Sequence, residues 1–519
     1  AIARGRVAYI GICGHTAEHC IGPETTVVDA TGLYAAPGLF DTHVHIESSM
    51  VGPAEYARAV VPHGTVGIYA DPHEVANVCG LEGVRAMWED AARTPLKTML
   101  TTPSCVPAVL GVEDTGSSID ASQVAESMRW DSVVALGEMM NFPGILSCEQ
   151  NALDEVRETL KADRVVTGHY VAADDDRGLS AYIAAGVTSC HESGSFTDVI
   201  SKLRMGMYVQ LRQGSAWLNL PGYLPELVAS GVDTSHCLLC TDDSHPHTLV
   251  DDGHMDRVLR EAVRLGLDPI TALQMATINA AQYFGVGRDM GSITPGKCAD
   301  IVLLRDLERF EAKAVYIDGT LAAEDGKATF ATKPFTWPAF MTHTMNLGVD
   351  ITPRAFEIPV NHKDGSIWVR AIGINAGDTL TRDSTVKTIV RDGKIQADPT
   401  HDVLKACVFD RHHGTDGTHS FGFVTGFGIH GALAQTVSHD AHNLLVMGDN
   451  DADMALAARA LAECGGGEVA VADGKVLALV ELPVCGLMSD RRIEEVAEKV
   501  AGIEAVWAQM GCSLPSPFM

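Results

Sequence analysis

Six side chains able to bind a metal ion are spread through the first half of the chain. Each lies at the end of a short β-rich run: His43, His45, Glu138, His169, His191 and Asp242. Histidines at positions i and i+2 of a strand point to the same face, so His43 and His45 could share one ion. A lone histidine is more often a hydrogen-bonded core residue. Five of eight predicted strand ends carry such a ligand, however, and this pattern predicts a metal centre.

The composition of this ligand set indicates both the metals and the chemistry. Nitrogen and carboxylate ligands suit Zn, Mn or Fe, and the six together exceed what one tetrahedral ion requires. We therefore predict two ions, with Glu138 as the bridge because a carboxylate has two oxygens to share. Such a pair lowers the pKa of bound water from about 16 to about 7 and supplies hydroxide. Asp242 is predicted to orient this hydroxide and carry its proton to the leaving group, in hydrolysis of an amide or a ring amine.

A parallel sheet alternating with helices would bring these strand ends together. Helix-like segments, several with apolar residues at helical spacing, separate eight β-rich runs. The runs are 38–45, 65–71, 97–102, 132–138, 164–169, 187–191, 207–212 and 237–242. Eight such units most simply close into a (β/α)8 TIM-like barrel, whose active site lies at the carboxyl ends of the strands. A doubly wound open sheet is the competing architecture, but it more commonly has fewer strands.

Strand signals on both sides of the barrel predict a small composite β-domain. We place the barrel at residues 37–290, between an N-terminal part at 1–36 and a C-terminal part at 291–332. The N-terminal part contains short apolar runs at 7–10 and 26–29, which we interpret as strands. The chain starts at Ala1, and we expect this domain to lack one or two of its strands.

Residues 333–519 are predicted to form a third domain of mixed α/β structure. Asp392-Gly393 and Asp473-Gly474 each lie between apolar runs, which is a hairpin signal. A helical pattern covers 453–463. The domain also contains four closely spaced histidines, which we interpret as structural or lid residues in preference to a second metal site: His412, His413, His439 and His442.

The composition excludes several classes of protein. The formal net charge of −29 makes nucleic-acid binding a poor hypothesis, because such a surface repels phosphate. With 46% apolar and 20% charged residues the chain is of ordinary globular composition, and no apolar stretch is long enough to span a membrane. Thirteen scattered cysteines fit a reducing compartment, so we expect a cytoplasmic protein. Cys237 and Cys240 are predicted to be two buried thiols of one strand.

The residues around the ligands form longer motifs, which together cover nearly the whole chain. These motifs are at 37–50, 71–78, 138–144, 241–246, 275–281, 291–300, 422–428 and 438–443. Their sequences resemble the amidohydrolase superfamily and, within it, the bacterial adenine deaminases. The Ile-Glu-Ser-Ser run at 46–49 and the Glu-Met-Met-Asn-Phe-Pro run at 138–143 are the most specific. Glu138 stands where many relatives have a carboxylated lysine, as expected of this branch.

The resemblance implies hydrolytic deamination of adenine to hypoxanthine and ammonia, with Mn²⁺ favoured and Fe²⁺ or Zn²⁺ also accepted. Because attack at C6 places charge on the ring, N1 must gain a proton. Glu74 or Asp71, just past the second strand, is the predicted donor or purine contact, since a buried carboxyl with a raised pKa can donate. Asp243, Ser104 and Arg212 are further predicted substrate contacts. We expect a homodimer that acts on a small molecule.

Three other functions are alternatives to this one. The same site could serve a deaminase of another heterocycle or a cyclic amidase, which only a substrate test separates. A cytidine-type zinc deaminase would need His-x-Glu and Pro-Cys-x-x-Cys, but His236 precedes Cys237 here. A barrel kept only as a binding or scaffold protein would be expected to lose ligands, and all six positions are filled.

Overall fold

The structure is a computed structural model. It describes residues 1–12, 15–172, 175–375, 381–414 and 419–514. The chain divides into two compact units, each built from several segments. The first unit comprises Ala1–His73, Val84–Ala108 and Ile119–Pro334. The second comprises Glu74–Gly83, Val109–Ser118 and Phe335–Met519, apart from the positions outside the described ranges.

Eight parallel strands form the centre of the first unit. They are β1 Leu39–His45, β2 Thr65–Ala70, β3 Lys97–Thr102, β4 Val133–Met139, β5 Val165–Gly168, β6 Ser189–Cys190, β7 Tyr208–Arg212 and β8 Cys237–Cys240. Successive strands pair in parallel from β1 to β5 and from β6 to β8, and a Val166–Val187 bridge joins β5 to the segment entering β6. Directly after β8, Asp242–Asp243 pairs in parallel with β1. The sheet therefore closes on itself, which confirms the predicted barrel.

Helices follow the barrel strands, as the alternating pattern predicts. All seven residues of β4 are buried, as expected of a parallel strand covered on both faces. The α-helices in this part of the chain are Pro53–Val60, His73–Ala91, Ala121–Ser127, Phe142–Leu146, Gln150–Lys161, Asp176–Ala184, Phe196–Arg204, Leu220–Ser230, Pro246–Asp251, Met255–Arg264, Pro269–Met275 and Ile278–Tyr283. Within His73–Ala91, Glu74–Gly83 belongs to the second unit. Short 3-10 turns cover Glu18–Cys20, Ile46–Ser49 and Val61–His63.

A five-stranded antiparallel sheet joins the segments before and after the barrel. Its strands, in spatial order, are Lys327–Ala328, Thr320–Glu324, Ala312–Ile317, Ile301–Leu304 and Tyr34–Pro37. Ala36 lies opposite Val302, so this sheet combines a strand from before the barrel with strands from after it. The strand predicted at 26–29 is wrong, because this segment has no regular structure and its valines are 67% and 52% exposed. Of 7–10, only Val7 is in a strand, the Arg6–Val7 partner of Ile2–Ala3.

The second unit contains a ten-stranded mixed sheet. In spatial order its strands are Ile358–Pro359, Lys394–Gln396, Arg382–Arg391, Gly365–Gly373, His419–Thr425, Leu404–Phe409, Leu444–Gly448, Ala432–Gln435, Gly467–Ala472 and Lys475–Glu481. Its helices are Ala339–Thr342, Asp451–Cys464 and Ile493–Gln509, with 3-10 turns at Pro353–Phe356 and Pro399–His401. The α/β class predicted for this region is confirmed.

Both hairpins predicted from Asp-Gly pairs are present in this sheet. Asp392 and Gly393 have φ values of 51° and 68°, and Asp473 and Gly474 have values of 51° and 69°. Two successive positive φ values are the geometry of a type I′ turn, which matches the twist of the flanking strands. The predicted helix at 453–463 lies inside Asp451–Cys464.

Two further predictions concern membranes and cysteines. No helix within the described residues combines the length and apolar character needed to cross a bilayer. Cys237 and Cys240 are buried free thiols of β8, as predicted.

Candidate metal centre and active site

The structure brings the six predicted ligands together at the carboxyl end of the barrel, within the first unit. Each is buried or nearly so, and each lies at the end of a strand or directly after it: His43, His45, Glu138, His169, His191 and Asp242. Because parallel strands of a barrel end at the same rim, residues separated by up to 199 positions meet there.

Glu138 lies at the centre of the site. Its Oε2 lies 2.7 Å from His169 Nδ1 and 3.1 Å from His191 Nε2. Its Oε1 lies 3.3 Å from His73 Nε2 and 3.7 Å from His45 Nε2. One carboxylate therefore divides its two oxygens between two pairs of imidazoles, as expected of a bridging ligand.

Asp242 forms the second anionic point of the site. Its Oδ1 lies 3.2 Å from both His43 Nε2 and His45 Nε2, while its Oδ2 accepts a 2.6 Å hydrogen bond from Arg212 Nη1. Its backbone has a φ of 64°, in the left-handed region that a non-glycine residue rarely adopts. Pairing with Val44 of β1 holds this conformation.

The donor atoms fit divalent ions. His45 Nδ1 lies 2.8 Å from the Asp71 carbonyl oxygen, and donation there leaves the Nε2 lone pair for an ion. His43 Nε2 is buried and forms no hydrogen bond of acceptable geometry within the described residues. Ligand atoms of His43, His45 and Asp242 lie within 4.8 Å of one another, and so do those of His43, Glu138 and His191.

The electrostatics keep the carboxylates charged and one imidazole neutral. Burial would raise the pKa of Glu138, but His169 and His191 hold that pKa well below its usual value. Burial also opposes ionisation of Asp242, and Arg212 is the main group that lowers its pKa. Burial lowers the pKa of His191 to about 4, so this ring is neutral and available to a metal. His169 differs, because Glu138 outweighs burial and raises its pKa to about 9.

Three other predicted site residues lie around this centre and support it. Asp71 accepts a 2.7 Å hydrogen bond from the Glu138 backbone N–H, and burial with the charge of Glu138 raises its pKa to about 6. Ser104 Oγ donates to the Glu138 carbonyl oxygen at 2.6 Å. Asp243 Oδ1 accepts a 2.5 Å hydrogen bond from Ser48 Oγ. The structure thus places Asp71 and Ser104 as supports of the end of β4.

Glu74 belongs to the second unit and is buried in the first turn of His73–Ala91. Its Oε1 lies 3.8 Å from His439 Nδ1. Another histidine of this unit, His412, has its Nε2 2.8 Å from the Ala441 carbonyl oxygen. These two histidines thus have protein partners, a carboxylate and a backbone carbonyl.

Sequence reasoning missed two residues and assigned different partners to a third. His73 contacts Glu138, and Glu192 pairs with Arg212 through both carboxylate oxygens. Both follow a strand end, since His73 comes shortly after β2 and Glu192 directly follows His191. Their position could have drawn attention to them. Arg212, predicted to contact substrate, lies between Glu192 and Asp242.

Known proteins are similar to this chain along its whole length. The amidohydrolase family profile matches residues 34–322, and that of the adenine deaminase C-terminal domain matches residues 378–519. The adenine deaminase of Clostridium botulinum (strain Loch Maree / Type A3) is 52% identical over 520 residues, all of this chain and 86% of that protein. Those of Moorella thermoacetica and Mesorhizobium japonicum are 46% and 42% identical with the same coverage. The chain therefore belongs to the adenine deaminase branch of the amidohydrolase family.

Proposed function

We propose that this chain catalyses the hydrolytic deamination of adenine to hypoxanthine and ammonia. The observation that carries the proposal is the 42–52% identity, along the entire chain, to proteins named adenine deaminase. The convergence of four histidines and two carboxylates at one barrel rim supports it, because a hydrolase of this family needs a metal-binding site there.

The proposed metal centre holds two divalent ions. His43, His45 and Asp242 would bind one, His169 and His191 would bind the other, and Glu138 would bridge them. Mn²⁺ is our favoured metal, although Fe²⁺ and Zn²⁺ accept the same ligands. When bound, such ions supply Lewis-acid activation of water at neutral pH. The neutral His191 ring and the ionised Glu138 and Asp242 carboxylates are in the protonation states that metal binding requires, whereas His169, with a pKa of about 9, would lose its proton on binding.

Asp242 is the proposed proton shuttle of the reaction. Water adds to C6 of the purine, Asp242 takes up a proton from that water, and the exocyclic amine leaves as ammonia after receiving it. N1 gains a second proton from a buried carboxyl during the attack, and the C6 hydroxyl returns a proton to that carboxylate as the C6 carbonyl forms. Asp71 and Glu74 remain our candidates for this donor. Asp71 has the raised pKa, about 6, that suits a donor near neutral pH, but one of its oxygens already accepts the Glu138 N–H.

Substrate specificity tests the proposal directly. The purified, Mn²⁺-loaded protein is assayed for ammonia release with adenine, guanine and cytosine and for ring opening of a dihydropyrimidine, and its metal content is measured. We expect rapid release of ammonia from adenine alone. Absorbance at the adenine maximum should fall as adenine is converted to hypoxanthine. Faster turnover of another heterocycle, or of the cyclic amide, would replace adenine as the substrate.

A further inference from the structure

Arg212 has an unusually complete set of partners for a residue at a barrel rim. Its Nη1 donates to Asp242 Oδ2 at 2.6 Å and to Glu192 Oε1, and its Nη2 donates to Glu192 Oε2 at 3.2 Å. Its Nε donates to Asn219 Oδ1 at 2.7 Å. Four of the five guanidinium N–H groups are thus committed to protein atoms.

We propose that Arg212 is a positioning residue, which Glu192 and Asn219 clamp so that it fixes the orientation of the Asp242 carboxylate. This inference rests on the proposed function, since it gives Arg212 a part in that reaction. The guanidinium takes Asp242 Oδ2 and leaves Oδ1 facing His43 and His45, the side on which the reaction occurs. A substrate contact, as predicted from sequence, would have only one N–H group left to use, on Nη2.

The setting of Arg212 gives the clamp its rigidity. Its side chain is only 7% exposed, and its backbone N–H donates to Tyr223 Oη at 3.0 Å. It ends β7, whose neighbour β8 leads directly to Asp242. A site on strands, with its supporting hydrogen bonds complete, holds its geometry better than one on loops. An arginine fork suits this task because its planar N–H groups can pair with two carboxylates at once.

The charges around Arg212 explain why it needs Glu192 as a second carboxylate partner. A buried guanidinium and a buried carboxylate stabilise each other only where their other polar atoms are satisfied. Asp242 also faces two imidazoles, so its charge is shared among several partners. Glu192 compensates Arg212 and lies 3.8 Å from His191 Nε2 and 3.9 Å from His169 Nε2. The chain of contacts therefore runs from Glu192, just after β6, through Arg212 at the end of β7 to Asp242, just after β8.

The test is the Arg212→Ala variant, assayed with adenine in the Mn²⁺-loaded enzyme. We expect kcat to fall about 100-fold, because a misplacement of about 1 Å in a catalytic group costs this much. KM should change by less than about threefold, since no substrate contact is removed. Metal content per chain should equal that of the wild type. Added guanidinium ion should restore kcat at least about tenfold by refilling the cavity between Glu192 and Asp242.

Matched variants separate positioning from a merely structural role. Arg257 is a partly buried arginine of the first unit, and it donates to the carbonyl oxygens of Gln213 and Gly214. Guanidinium should not raise the activity of Arg257→Ala. In an Asp242→Asn background, Arg212→Ala should cost little more, because the carboxylate that it positions is gone. Should Arg212→Ala fail to fold, Arg212→Lys and Asn219→Ala are measured, each with an expected loss of kcat at unchanged KM.

Each contrary result identifies a different error. A raised KM at unchanged kcat would make Arg212 a substrate contact, and loss of metal would make it a support of ion binding. Activity close to that of the wild type, or absence of rescue by guanidinium, would also overturn the assignment. If the wild-type protein itself releases no ammonia from adenine, the proposed function is wrong, and this failure is distinguishable from an error in the role of Arg212.

Discussion

Glu138 shows how a single residue can organise a site made from many strands. Its two oxygens face imidazoles from four separate segments of the barrel, at distances of 2.7–3.7 Å. Asp71 and Ser104 fix the backbone on either side of it by hydrogen bonds. The bridging role proposed for Glu138 requires a full negative charge and a fixed direction, and this environment provides both.

We predict that Glu138→Gln removes most of the bound metal and abolishes ammonia release from adenine. An amide keeps the shape of the side chain but lacks the charge and the second anionic oxygen. Metal content is measured by elemental analysis of the purified variant. The control is Glu155→Gln, another buried glutamate of the barrel that lies outside this site. Full metal content with near-normal turnover in Glu138→Gln would contradict the bridging role.

The ligands could be predicted from sequence because their signal is local. His43 and His45 lie two residues apart on a strand, and the other ligands each end or follow a β-rich run. The Glu192–Arg212–Asp242 chain could not be found this way. Its members lie at or just after the ends of three successive strands, and only the register between β7 and β8 decides which side chains face each other. That register is a property of the closed barrel, to which no local pattern corresponds.

At the scale of elements, a predicted strand is present in the structure only where the segment has a neighbouring strand to pair with. The Asp-Gly turns were predictable because the positive φ values are a local requirement of a hairpin whose two strands pair with each other. The apolar run at 26–29 has the composition of a strand, yet its valines are largely exposed. A strand needs a neighbour to accept its hydrogen bonds, and composition does not reveal whether one exists.

We predict that a buried glutamate in the helix Gln150–Lys161 makes the stability of the chain depend on pH. Burial raises the pKa of Glu155 to about 8, while a hydrogen bond from Asn151 partly opposes this rise. Its unfolded value is about 4.3, so between about pH 5 and pH 8 the folded chain retains a proton that the unfolded chain releases. Stability therefore falls as the pH rises through this window, by up to a few kcal/mol from this residue.

Replacing Glu155 by Gln removes the titration and keeps an oxygen for Asn151 to donate to. Thermal melts at pH 5 and pH 8 should show a smaller loss of melting temperature in Glu155→Gln than in the wild type. Glu158 of the same helix, which is partly exposed and pairs with Lys161, provides the control variant Glu158→Gln. An equal pH dependence in the wild type and Glu155→Gln would show that Glu155 is ionised in the folded chain.

At the scale of the whole molecule, the two units have separate cores and contribute unequally to the proposed metal site. All six proposed ligands come from the first unit, from residues 43 to 242. The second unit has its own core, in which Leu444, Val446 and Val469 of the sheet pack with Met454 and Leu461 of the helix Asp451–Cys464. The stabilisation that metal binding adds should therefore be confined to the first unit.

Removal of the metal by a chelator tests this division. An ion that binds only the folded state at a free concentration of 100 times its Kd adds about 2.7 kcal/mol to stability. We expect chelation to speed hydrogen exchange in peptides covering β1, β4 and β8, whose ends carry ligands, and Mn²⁺ to reverse the change. Exchange in Leu444–Gly448 and Ala432–Gln435 of the second unit provides the internal control and should stay within error. An equal increase in both units would show that the ions stabilise the chain as a whole.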